Sequence, residues 1–93
     1  MIVRWPPEAV RGLTAQLDSI AEHDACAAVA VGDAVHAAVG RLARYPGLGR
    51  HGRVAGTREV VVTGTPYVIV CRLEPDVVMV LRVLHGVQGW PPV

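Results

Sequence analysis

Residues 49–91 read GRHGRVAGTREVVVTGTPYVIVCRLEPDVVMVLRVLHGVQGWP, and this stretch decides the fold. A loop rich in Gly and Arg gives way to three short apolar runs at 58–63, 67–73 and 77–85. Gly64-Thr65-Pro66 separates the first two runs and Glu74-Pro75-Asp76 the last two. Consecutive strands joined by turns this short form an antiparallel meander.

Upstream of the loop the punctuation is helical. Residues 2–5 read as a short edge strand, ended by Pro6-Pro7. Pro7 suits a first helical turn, where a missing N–H does no harm, and Glu8 favours the positive end of a helix. Val10, Leu13, Leu17 and Ile20 then recur at helical spacing, which predicts a helix over 7–22. His23-Asp24 is a tight connection, with Asp24 a good N-cap. A second helix over 24–45 follows, with Ala28, Val31, Val35, Ala38, Val39 and Leu42 as its apolar side. It stops at Tyr45, because Pro46 and Gly47 cannot continue it. So short a link makes the two helices antiparallel neighbours. The expected fold is α+β, with a short N-terminal strand and an antiparallel helical hairpin. They pack on an antiparallel sheet that ends in a three-stranded meander, all in one domain spanning 1–93.

Composition limits the function. The chain is 52% hydrophobic and 18% charged, with no Phe and eighteen Val, so a small core leaves apolar surface for something else to cover. The runs 68–71 and 77–81 do not alternate, and strands of that kind are normally buried on both faces. Two helices can cover one face of a sheet. The C-terminal tail or a partner must then take the other, since exposed apolar patches mark interaction sites. No run of eighteen apolar residues is present, so no membrane span is expected. The first seven residues are too short and Pro-rich for a signal peptide. Cys26 and Cys71 are too few for a disulfide framework or a zinc site, and read as small core residues of a cytosolic protein.

The net charge is +1, carried by nine arginines and no lysine. Proteins that live on phosphate backbones carry a large basic excess, so any anion contact here is local. Arg50, Arg53 and Arg58 concentrate positive charge in and after the loop. They read either as a bidentate contact to phosphate or carboxylate, or as a solvated rim with Arg58 paired to an acid. Arg72, Arg82 and His85 lie in otherwise apolar strands, where charge is costly unless paired, and Glu59 is a possible partner. Arg82 and His85 differ in parity, so a regular strand points them to opposite faces unless a bulge intervenes. Gly47-Leu48-Gly49-Arg50-His51-Gly52 spells G-x-G-x-x-G, but it follows a helix and opens a strand. The dinucleotide fingerprint needs the reverse, so the segment reads as a loop. His23, His36 and His51 have no metal spacing, and no metal or other cofactor is expected. Trp5 and Trp90 read as tail-packing residues, Trp90 also as a partner anchor.

The ordered set GR-x-GRV-x-GTRE, TPY with Arg72 five residues after Tyr67, and LRVLHG-x-Q-x-WP resembles the RelE/ParE superfamily of bacterial toxins. The resemblance covers nearly the whole chain. It implies the toxin half of a type II toxin–antitoxin module, cytoplasmic and held inactive by an antitoxin, a small DNA-binding protein. The helical positions Val10, Leu13, Leu17, Val31 and Val35 are the expected antitoxin contacts. RelE-like members cleave messenger RNA on the ribosome, and ParE-like members poison DNA gyrase. The RelE-like nucleases carry Lys or Arg along the first meander strand and just after the Tyr that opens the second. Here those places hold Val60, Val61, Val62 and Val68. The resemblance is therefore closer to the ParE-like branch and implies non-catalytic inhibition of a topoisomerase such as gyrase, with growth arrest. Arg50, Arg53, Arg58, Arg72, Arg82, His85 and Trp90 are then the target-binding candidates. The alternative is a ribosome-dependent endoribonuclease using Arg58, Arg82 and His85. A third reading is a toxin remnant that only binds antitoxin and helps repress the operon.

Overall fold

The computed structural model describes residues 1–86. In chain order they form β1 (Ile2–Arg4), α1 (Pro7–Ala21), α2 (Ala25–Arg44), a 3-10 turn at Pro46–Leu48, β2 (Arg50–His51), β3 (Arg58–Val61), β4 (Tyr67–Glu74) and β5 (Val77–His85). The helices start and stop where local chemistry dictates. Pro7 occupies the first turn of α1. Asp24 caps α2 by accepting the Ala27 N–H at 3.0 Å, and Tyr45 ends α2 ahead of Pro46. The expected loop at 47–56 carries more structure than its composition suggests, because it holds most of the 3-10 turn and β2.

The sheet has five strands in the order β1-β5-β4-β3-β2. Strands β2 to β5 pair antiparallel, as the short turns require. β1 differs: it joins the outer side of β5 parallel, with Ile2 opposite Val77 and Arg4 opposite Met79. The sheet is therefore mixed. Parallel pairing needs a long crossover, and the helical hairpin supplies it. The β4–β5 register slips by one between Val70 and Cys71: Val70 faces Arg82, whereas Cys71 faces Val80. Leu81 is thus the extra residue of a bulge, a device that bends a strand and changes where its side chains point.

Both helices lie on one sheet face. Ala9 and Leu13 of α1 and Val35, Ala38 and Val39 of α2 pack on Val62, Ile69, Val80 and Val83. Leu42 extends this core over Cys71 and Val78. The stripe of α1 that meets the sheet is rotated from the one spacing suggested. Ala9 is buried and Val10 is 46% exposed. Small Ala9 allows close approach, and Gln16 spends its amide on the carbonyl of Val83. Leu17 turns toward α2 and packs beside Gly32. Cys71 is a core residue, but Cys26 is exposed in the first turn of α2, on the side of that turn away from buried Ala28. Trp5 packs against the core, with its ring 6.3 Å from that of His36.

The other sheet face is buried only in part: Val61, opposite Val68, and Ile2, opposite Val77, stay exposed. Val68, Val70 and Leu84, which point away from the helices, are buried. The two-sided apolar character of β4 is thus satisfied on both sides. Trp90 and the C-terminal tail lie outside the described residues.

The core sets the first prediction. Leu42 is fully buried, and truncating such a leucine typically costs about 2–5 kcal/mol through lost transfer energy and a cavity. Leu42→Ala should lower the urea midpoint accordingly with an unchanged m-value. A shift below about 1 kcal/mol would contradict the packing described.

Candidate functional site

Strand parity and register collect the arginines on the sheet face opposite the helices. Across the sheet, Arg50 on β2 sits opposite Glu59 on β3, Glu59 opposite Val70 on β4, and Val70 opposite Arg82 on β5. A second row runs from Arg4 through Met79 to Arg72. Arg53 joins this face from the β2–β3 loop through its bonds to Glu59. Five of the nine arginines therefore share one face with two glutamates, Glu59 and Glu74. The helical hairpin has the opposite balance. Glu8, Asp18, Glu22, Asp24 and Asp33 outnumber Arg11, Arg41 and Arg44. The net charge of +1 thus conceals a molecule with a cationic sheet face and an acidic helical face. Summing charge along the sequence averages the two away.

Glu59 organises the cationic face. Its side chain is 1% exposed. One carboxylate oxygen accepts the backbone N–H of Arg53 at 2.8 Å and Arg53 Nε at 3.2 Å. The other accepts an Nη of Arg50 at 3.4 Å. Burial alone would raise the pKa of this carboxyl; the donors of Arg53, then Arg50, outweigh it and hold the group below its ordinary 4.5. The loop that delivers Arg53 is tight. Gly52 N–H donates to the Thr57 carbonyl at 2.8 Å and the Thr57 hydroxyl donates to the Val54 carbonyl at 2.6 Å. A Cβ at position 52 would collide with the Thr57 hydroxyl, so glycine is required there for close approach.

The remaining candidates separate. Arg72 pairs with Glu74 on its own strand at 2.8 Å, with Glu59 engaged elsewhere. Arg58 lies on the helical side, opposite Cys71 and His51, and donates to the Gly49 carbonyl at 3.0 Å instead of to an acid. Its charge partly offsets the burial that pushes the Cys71 thiol up from its ordinary value. His85 lies opposite Tyr67 on the helical side, in an edge-on ring contact at 5.6 Å. The bulge at Leu81 precedes both Arg82 and His85, so it does not bring them to one face. Arg58 and His85 meet β4 at Cys71 and Tyr67, four residues apart, or about 13 Å along the strand. Arg58, Arg82 and His85 do not converge on one reacting atom.

The hairpin candidates divide as well. Leu13 and Val35 are spent in the core. Val10 and Val29 are exposed, Val29 to 64%, and Leu17 and Val31 are half-buried. A shallow groove of about 320 Å³ crosses the hairpin between Leu17, Ala28, Val29, Gly32 and His36. By length and composition α2 is apolar enough to cross a membrane. Here its inner side packs on the sheet while much of its apolar outer side is uncovered. Arg4 is a site residue the sequence reading did not select, and Glu59 entered it only as a possible partner for Arg72, Arg82 and His85. An acid between Arg58 and a run of three valines was the available signal for Glu59. For Arg4 there was none until β1 was paired.

The pKa of Glu59 gives a prediction. A carboxyl whose folded pKa lies below its unfolded value adds stability above the unfolded pKa, and this is lost as pH falls through the folded value. The urea midpoint should therefore fall on acidification below about pH 4.5. In Glu59→Gln that part of the dependence should flatten. An identical pH profile in the two proteins would show that the carboxylate is not held as described.

Comparison with known proteins gives a consistent result. The family model for the ParE toxin of type II toxin–antitoxin systems, parDE, matches residues 3–90. The protein Y4kP of Sinorhizobium fredii (strain NBRC 101917 / NGR234), itself named as a candidate toxin, is 41% identical over 91 residues, covering 98% of this chain and 94% of that protein. Among solved structures, a chain of the chromosomal ParDE toxin–antitoxin system from P. aeruginosa superposes with a TM-score of 0.80 at 21% identity. The match covers 89% of this chain and 92% of that one.

Proposed function

Because the chain belongs to the ParE toxins of type II toxin–antitoxin systems, we propose that it arrests growth by binding and inhibiting a topoisomerase such as DNA gyrase, without catalysis, in the cytoplasm. A cognate antitoxin neutralises it. The observation that carries this reading is the arrangement of charge. Five arginines are spread over one sheet face, a layout suited to docking on an anionic surface. Cleaving RNA through its 2′-hydroxyl calls for a base, an acid and a cation at one reacting centre. Arg58, Arg82 and His85 are divided between two faces, which supports an inhibitor over a nuclease.

The hairpin is the proposed antitoxin site. Its outer side exposes Val10 and Val29, and the groove lined by Leu17, Val29, Asp18 and Asp33 would take an amphipathic segment. Antitoxin and target thus take opposite sides of the sheet, and the acidic hairpin helps keep the anionic target on the arginine face.

In a supercoiling assay with purified gyrase, the wild-type chain should inhibit and added antitoxin should relieve the inhibition. His85→Ala should retain inhibition, because no proton has to move, whereas Arg82→Ala should weaken it. For a nuclease the ranking inverts, since losing a general acid or base typically costs about 10² to 10⁴ in rate. Cleavage of messenger RNA on purified ribosomes, abolished by His85→Ala, would overturn the inhibitor reading.

A further inference from the structure

The arginine face contains one feature that neither the sheet nor the core requires. Glu59 occupies a position where a valine would fit: its strand neighbours are Val60 and Val61, and Val70 lies opposite. Burying a carboxylate there is costly, and replacing a buried ion pair by apolar residues is often neutral or stabilising. Glu59 spends its lone pairs on the backbone and Nε of Arg53 and on one Nη of Arg50. These bonds arrest two side chains that would otherwise lose rotamer freedom only on binding. They leave both side chains partly open to solvent, Arg50 64% and Arg53 39% exposed. One buried negative charge holds two positive ones, so the cluster keeps a net positive charge and unspent N–H donors.

We propose that Glu59 is a positioning residue that presents Arg50 and Arg53 as a fixed pair of guanidinium forks for carboxylates of an acidic patch on the target protein. This rests on the sheet face being the target-binding side. Guanidinium forks match carboxylates bidentately. A protein carboxylate is favoured over a nucleic-acid backbone by charge. Duplex DNA presents a negative charge about every 1.7 Å along its axis, and this chain, at +1 overall with an acidic hairpin, lacks the excess such a surface selects for.

The test uses the purified full chain and an oligo-glutamate peptide as probe, with duplex DNA of matched charge as the second arm. The wild type should bind the peptide in low salt and bind it more tightly than the DNA. Glu59→Val should stay folded, with a cooperative thermal transition and unchanged antitoxin affinity, yet bind the peptide about tenfold more weakly or worse. Arg50→Lys with Arg53→Lys keeps the charge, removes the forks, and should lose a similar factor. Unchanged peptide binding in a folded Glu59→Val protein overturns the proposal, as does tighter binding of DNA or a parallel loss of antitoxin affinity. Gyrase assays on the same proteins separate the two readings. A wild type that binds the peptide through the Glu59-held pair but leaves gyrase active refutes the topoisomerase assignment and leaves the positioning role standing.

Discussion

The antiparallel pairing of β4 with β5 holds the rest of the molecule in place. β4 lies between β5 and β3 and is buried at Val68, Ile69, Val70 and Cys71. β5 in turn receives β1 on its free side and carries α1 through Val80, Val83 and the Gln16 bond. β1 and β3 pair with these two strands and both helices pack on them, while β2 joins at one remove through β3. In a chain of 93 residues that concentration is unavoidable. Little surface is available to bury, and stability comes from two strands that are apolar on both sides.

That same constraint explains how the surface is used. With the central strands committed to burial, charge is confined to the strand edges, the loops and the outer sides of the helices. Arginines reach the sheet face from β1, β2, the β2–β3 loop, β4 and β5, and those on strands form two rows, the first with buried Val70 between Arg50 and Arg82. The acids gather on the hairpin, where helical surface remains. A protein with almost no net charge thus acquires two faces of opposite sign. Glu59 is the exception to that confinement, a charge kept inside at a cost that only its two arginine partners offset.

Element identity was legible in the residues because it depends on short-range chemistry. The Pro7 start, the Asp24 cap, the Pro46 stop and the Gly64 and Pro75 turns act within a few residues of themselves, and the helices and the three meander strands follow. The family resemblance was legible too, since it lay in an ordered string of motifs. Pairings over distance were less so. Glu59 was a candidate partner for the strand arginines, yet the β2–β3 loop delivers Arg53 and Arg50 to it first. Leu13 and Val35 share helical spacing with Val10 and Val31, but which of them face out depends on how each helix is rotated on the sheet.

The sequence by itself determined the α+β class, the helical hairpin, the antiparallel meander and the excess of apolar surface, because periodicity and turn chemistry are local. Only the tertiary structure decided that β1 runs parallel to β5, that Leu81 is bulged, and that Arg82 stands on the opposite face from Arg58 and His85. It also decided that five arginines meet on one face around a buried glutamate. These are facts of register, and register is set by the packing of strands that are distant in the chain. A single slip reverses every side chain beyond it, so no reading of one strand at a time recovers which residues share a face.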